Sequence, residues 1–132
     1  MTGETDLRTI LASLAPALGT EEFVFCSFKQ ARYGDHQQLQ PIVAVAEGEG
    51  LTLVIPRANA DAGGIGYESV FRRITLQVHS SLDAVGLTAA FATRLTEHGI
   101  SANVIAGFYH DHIFVQAEQA ENAITAINEL TH

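Results

Sequence analysis

An offset of 60 residues lays one half of this chain on the other. It sets Ile42 on Ala102, Val45 on Ile105, Ala46 on Ala106, Leu53 on Ile113, Ile55 on Val115, Ala60 on Ala120 and Asp61 on Glu121. Identities are few, yet two apolar runs fall on two apolar runs without a gap. PIVAVAEGEGLTLVIP (41–56) places β-prone runs around EGEG, a hairpin signal, and ANVIAGFYHDHIFVQ (102–116) is a second two-run hairpin. The strands expected ahead of them, in EEFVFCSF (21–28) and FRRITLQV (71–78), stand only about 50 residues apart. The second copy therefore carries about ten additional residues between its first strand and its hairpin. Two related sheet-building units are expected, with the boundary near Gly63–Tyr67: residues 1–66, and residues 67–132 with a complete helix.

The remaining segments fill in around the hairpins. TDLRTILASLA (5–15) reads as a first helix, capped by Thr5 or Asp6, with Leu7, Ile10, Leu11 and Leu14 in one stripe and Pro16 after its end. KQARYGDHQQLQ (29–40) is polar and glycine-interrupted, hence a loop in place of the first unit's helix. ANADAGGIGYES (58–69) starts helical and dissolves into glycine. In 71–78, Ile74, Leu76 and Val78 point one way and Arg73, Thr75 and Gln77 the other. DAVGLTAAFATRLTEHG (83–99) is a helix with Leu87, Phe91 and Leu95 on one face and Gly99 as its stop. AEQAENAITAINEL (117–130) closes the chain as a helix turning Ala120, Ile124, Ile127 and Leu130 inward. Strand–helix–strand–strand–helix is the skeleton of an α+β, ferredoxin-like α/β sandwich with antiparallel strands and helices on one sheet face. IVAVA is apolar on both faces, and Phe114 opposes Ile113 and Val115. The units are therefore expected to pack together or the chain to self-associate.

Composition narrows the function. The chain has 132 residues, 47% of them hydrophobic, which is enough for a core. Seven basic residues face fifteen acidic ones, for a net charge of −8, so the basic stripe that nucleic acid requires is missing. No apolar run approaches the ~20 residues that span a bilayer. MTGETDLRTI lacks the basic start and apolar stretch of a signal peptide, so a cytoplasmic location is expected. A lone cysteine, Cys26, makes neither an internal disulfide nor a cysteine-based zinc site, and its apolar run FVFCSF makes it a buried, inert thiol.

HSSLDAVGLTAAF (79–91) raises the functional question, because a short polar turn between strand and helix presents unpaired N–H groups to an anion. DAVGLTAAFATRLTEHGISANVI resembles the core signature of ACT domains: an acidic residue, two positions, Gly-Leu, a small-residue helix, then Gly-Ile opening the next strand. Asp83, Gly86, Leu87, Ala89, Phe91, Leu95, Gly99 and Ile100 match it, while Val85 stands where many ACT domains carry the proline of a Pro-Gly pair. With VFRRITLQVHSSLDAVGLTAAF and YHDHIFV, the whole chain resembles a small group of stand-alone, two-unit ACT proteins. The resemblance implies a regulatory module that binds an amino acid or similar small metabolite where two domains meet. Its ligand site would fall on the loop His79 to Leu87 and on the strand Ser101 to Ala106.

The residues there suit that role. Ser80, Ser81, Leu82 and Asp83 offer capping side chains ahead of a helix, with Val85 beside them; Gly86 admits a close backbone approach. N–H groups near Gly86 and Leu87 hold a carboxylate, and Asn103, beside Val104 and Ile105, reads an ammonium or amide. The plainer alternative leaves Ser80 or Asp83 as a helix cap and makes the protein a structural interaction module that dimerises without ligand.

Other constellations weigh less. His110 and His112 of Tyr109-His110-Asp111-His112 share a strand face, which begins a metal site, but a third ligand would have to come from His79 or His98. A hairpin turn with Asp111 at its tip and two solvated imidazoles is the preferred reading over a metal-dependent enzyme. His98 belongs at a helix C-terminus, where the dipole favours it. AGGIGYES lacks the Lys-Ser/Thr of a phosphate loop; Ser80 and Ser81 lack a nucleophile elbow; Glu21 and Glu22 face opposite ways on a strand. The sequence thus points to a non-enzymatic ligand sensor with no cofactor, a small-molecule partner and a homodimeric state.

Overall fold

Both hairpins form, and in the same register. The structure is a computed structural model describing residue 13, residues 15–77 and residues 87–131. Strands β1 (Ala17–Phe28), β2 (Val43–Glu47) and β3 (Gly50–Pro56) are followed by helix α1 (Arg57–Ala62) and strand β4 (Phe71–Gln77). Helix α2 (Leu87–Glu97), strands β5 (Asn103–Ala106) and β6 (His110–Gln116) and helix α3 (Ala120–Thr131) complete the chain. Val43 pairs with Val54 and Ala46 with Leu51; sixty residues on, Asn103 pairs with Phe114 and Ala106 with Asp111. Both ladders are antiparallel. The helix expected over 5–15 falls almost wholly outside the described residues.

By its internal contacts the chain divides into Glu21–Phe71 and, as a second unit, Met1–Thr20 with Arg72–His132. In the second, the strand order is β4-β6-β5. Ile74 and Leu76 of β4 and Ile113 and Val115 of β6 are buried against Phe91 and Leu95 of α2 and Ala123 and Ile127 of α3. Helices thus cover one sheet face, the arrangement expected of an α+β ferredoxin-like unit. Helix α2 stops as its sequence dictates. Gly99 takes φ 72°, its N–H reaches Thr96 O at 2.9 Å, and Ile100 N–H reaches Leu95 O at 2.9 Å. That is a Schellman stop, with Ile100 folded into the core. Arg94 then ties the two helices, donating to Ala126 O at 3.2 Å and to Glu129 Oε1 at 2.9 Å.

In Glu21–Phe71, β3 pairs with both β1 and β2. Val24, Leu51, Leu53, Ile55 and Ala60 form its core, and Leu39 closes it. Leu39 does there what a helix does in the other copy. It sits on a single 3-10 turn, Gln37–Leu39, flanked by His36 (φ 64°) and Gln40 (φ 55°), both left-handed. Strain of that kind persists only when neighbours hold it. Asn59 Nδ2 donates to Leu39 O at 2.8 Å, and the His36 ring stacks on Phe28 with centroids 3.9 Å apart. The glycine stretch after α1 is held too: Tyr67 donates to Asp61 Oδ1 at 2.7 Å and accepts from Arg57 Nε at 3.1 Å.

Two expectations need adjusting. The first strand begins at Ala17, not at residue 21, because Leu18 packs into the apolar core and Gly19 O accepts from Arg72 Nε at 3.0 Å. Cys26 is half-buried, not sealed in; its thiol donates to Leu53 O at 3.7 Å, and burial pushes it above its ordinary pKa. The raised value keeps it in the unreactive thiol form at neutral pH.

Leu39 is 6% exposed and plugs the space a helix would fill. Leu39→Ala is expected to cost about 2–4 kcal/mol in urea unfolding followed by circular dichroism. A loss below about 0.5 kcal/mol would mean that the loop carries none of the core.

Candidate functional site

The segment most exposed to a ligand by sequence, Ser80, Ser81, Leu82, Asp83, Val85 and Gly86, lies outside the described residues, and Leu87 enters only as the first residue of α2. The strand half of the expected site is described. Asn103, Val104 and Ile105 lie on β5, which among the described residues pairs only with β6 and closes the strand order on that side. Asn103 is exposed, and its Nδ2 donates to Phe114 O across the ladder at 3.2 Å. One amide hydrogen is therefore engaged, and the amide keeps an oxygen that can accept from a ligand donor. Val104 is 42% exposed. Ile105 is half-buried.

The turn after β5 corrects the reading of Tyr109-His110-Asp111-His112. Asp111 is a strand residue, paired with Ala106, and only 9% exposed. The turn is Gly107-Phe108-Tyr109, closed by Gly107 N–H donating to His110 O at 2.8 Å. A glycine is required there by space: a Cβ on Gly107 would lie 2.8 Å from that same oxygen. At the tip Phe108 and Tyr109 are 88% and 74% exposed, their rings edge-to-face at 5.0 Å. The sequence missed this because the polar residues looked like turn residues and the aromatic ones like strand.

Consequently the two imidazoles are partly buried on β6, with ring centroids 6.3 Å apart. His112 Nδ1 is buried and has no hydrogen-bond partner. Burial holds the His112 pKa below its ordinary 6.5; the positive charge of Arg73 and the neighbouring His110 add to this, and Asp111 opposes it. Among the described residues no three His, Cys, Asp or Glu side chains converge to hold a metal ion. His98 sits where the sequence places it, its Nδ1 3.0 Å from Arg94 O at the end of α2.

An open groove of about 250 Å³ runs between the end of α2 and α3, lined in part by His98, Ile100, Asn122 and Glu129. Its main charged group, Glu129, is already spent on Arg94. No helix among the described residues is long and apolar enough to cross a membrane.

Comparison with known proteins bears on both halves. One ACT-domain family model matches residues 2–72 and another matches residues 68–129. A protein of unknown function from Vibrio cholerae, described as a possible transport protein, is 49% identical, with a TM-score of 0.86 over 99% of this chain and 100% of that one. The regulatory subunit of aspartate kinase from Thermus thermophilus, in a ligand-free form, superposes with a TM-score of 0.66 at 10% identity, over 91% of this chain and 99% of that one. A protein from Agrobacterium tumefaciens gives 0.64 at 15% identity over 89% and 88%. At those identities the last two share the fold. No curated protein sequence matches the chain.

The His112 shift makes a pH prediction. A histidine whose folded pKa is depressed binds its proton better when unfolded, so its stability contribution is complete above pH 6.5 and is lost as pH falls through that value toward the folded pKa. Unfolding by urea across pH 5 to 8 should show stability falling on the acid side, with a shallower slope in His112→Thr. Equal slopes in both proteins would remove His112 as the cause.

Proposed function

This chain belongs to the ACT-domain family, and from that premise we propose that it is a non-enzymatic sensor of an amino-acid-like metabolite. ACT domains are regulatory modules that bind small ligands, and the matches over residues 2–72 and 68–129 are the observation that carries the reading. We take the two units to divide at residues 1–66 and 67–132. The ligand would lie where units or subunits meet. Backbone N–H groups at Gly86 and Leu87, after Ser80, Ser81, Leu82, Asp83 and Val85, would take its carboxylate. Asn103, with one amide hydrogen committed to Phe114 O and an oxygen able to accept, suits an ammonium group on the ligand. Ile105, on the same face of β5 as Asn103, would supply an apolar wall there, and Val104 one on the other face. Binding would shift a conformational or association equilibrium only by its differential affinity for the two states.

The proposed setting is cytoplasmic and the proposed assembly a homodimer, with neither nucleic acid nor membrane as partner. Exposed apolar side chains support self-association: Ile42 and Val45 on or beside β2, and Val104 with Phe108 and Tyr109 on the second hairpin, each at least 40% exposed. The same residues support the rival reading, a module that dimerises and binds nothing.

A thermal-shift panel of the twenty amino acids and common metabolites separates the two. A ligand at about 100 times its Kd adds about 2.7 kcal/mol, which moves a domain of this size by several degrees. One selective shift, lost in Gly86→Val and in Asn103→Ala, is the expected result. A selective shift that survives both substitutions would place the ligand elsewhere; a flat panel from folded protein would leave the interaction module.

A further inference from the structure

The two hairpins control for each other. In the first, Glu47 ends β2 and its carboxylate accepts a hydrogen bond from Thr52 Oγ1 across the hairpin. Sixty residues on, those two positions are Gly107 and His112. The register is the same, so an imidazole stands where the hydroxyl was and the carboxylate is gone. His112 Nε2 lies 3.7 Å from the point a Cβ on Gly107 would occupy, so the ring faces the side from which a carboxylate stem would enter. The chain cannot restore that stem itself, since the same Cβ would meet His110 O at 2.8 Å.

What faces this place is a set of donors. His112 Nδ1 is buried without a partner. A neutral ring avoids a buried N–H with no acceptor, so the proton belongs on Nε2, toward the hairpin mouth. His110 stands on the same face of β6, and the rings are 6.3 Å apart. Arg73 lies on β4, the neighbour of β6, on the face opposite Ile74 and Leu76, and its charge reaches His112. Asp111 points to the other face, with Ile113 and Val115, and offsets only part of that charge. Three of the chain's few basic or imidazole groups therefore gather where an internal carboxylate has been deleted, in a protein of net charge −8. A cation is disfavoured by Arg73, and the described residues supply no third metal ligand.

We propose that the mouth of the second hairpin, lined by His110 and His112 with Arg73 beside them, binds a small carboxylate in the place that Glu47 fills within the first hairpin. This site uses none of the residues assigned above to the metabolite and stands without that assignment.

The test is NMR of the full chain carrying labelled histidine, titrated with sodium acetate at neutral pH against sodium chloride at matched ionic strength. The expected result is a saturable shift of the His110 and His112 ring signals, with those of His36 and His98 unmoved. Under saturating acetate the His112 titration midpoint should rise, because a bound anion favours the imidazolium. Both effects should vanish in His112→Thr, a residue the first hairpin already carries at that position, and weaken roughly tenfold in Arg73→Gln. An unchanged backbone amide spectrum certifies that each variant is folded. Shifts matched by chloride, shifts spread evenly over all histidines, or responses that persist in both folded variants would each overturn the site.

Discussion

Strand register is the constraint on which the rest of this structure depends. In β3 the buried side chains are Leu51, Leu53, Val54 and Ile55, and in β6 they are Asp111, Ile113, Phe114 and Val115, each set sixty residues from the other. A slip of one residue would turn Leu51, Leu53 and Ile55 to the wrong face, at about 1.5–3 kcal/mol for each large side chain lost from the core. That penalty exceeds what any single turn or ion pair here could return. The hairpin tips, the helix stops and the loop clamps are therefore fitted to a register that the apolar pattern sets first.

The same physics decides what could be read from sequence. Alternating apolar residues carry strand register in their spacing, which is why β3 and β4 and the apolar end of β6 fall where the pattern puts them, and why Gly99 marks the end of α2. Polar residues carry no such signal. Asp111 looks like a turn residue in isolation, and only its pairing with Ala106 shows that it lies one residue inside a strand. The start of β1 was hidden for a related reason: Ala17 to Thr20 has no alternation, and its place is set by Leu18 and by the Arg72 side chain donating to Gly19 O, fifty-three residues away in sequence. At the candidate site, Asn103 on an exposed strand was legible from side-chain chemistry. Its bond to Phe114 O was not, because that bond depends on which residue stands opposite.

Where the two copies differ is more informative than where they agree. The first hairpin turns on Gly48 and Glu49, a solvated tip; the second, on the same ladder, turns on Phe108 and Tyr109, exposed aromatic rings. The turn does not need those rings, since the other copy manages without them. Leu51 gives way to a buried Asp111, and Thr52 to His112. The first copy replaces an eleven-residue helix with a polar loop closed by Leu39. Thus the first unit reads as a scaffold whose polar groups are mutually satisfied, as with Arg57, Glu22, Tyr67 and Asp61. The second keeps a buried nitrogen without a partner. A buried group left in that state costs stability.

That asymmetry also bounds how the two proposed sites in the second unit could communicate. Asn103 hangs from Phe114 O, and Phe114 follows His112 by two residues on the same strand and on the same face. A ligand that drew the Asn103 amide away would give up one hydrogen bond, worth about 1 kcal/mol. Anything felt at His112 through β6 is limited to that scale, since the ladder itself is held by its buried side chains and does not slide. Coupling of this size alters affinity by several-fold and no more. A larger regulatory response would have to come from a change in what the exposed tip and the exposed strand β5 touch, which is a property of assembly and not of the isolated unit.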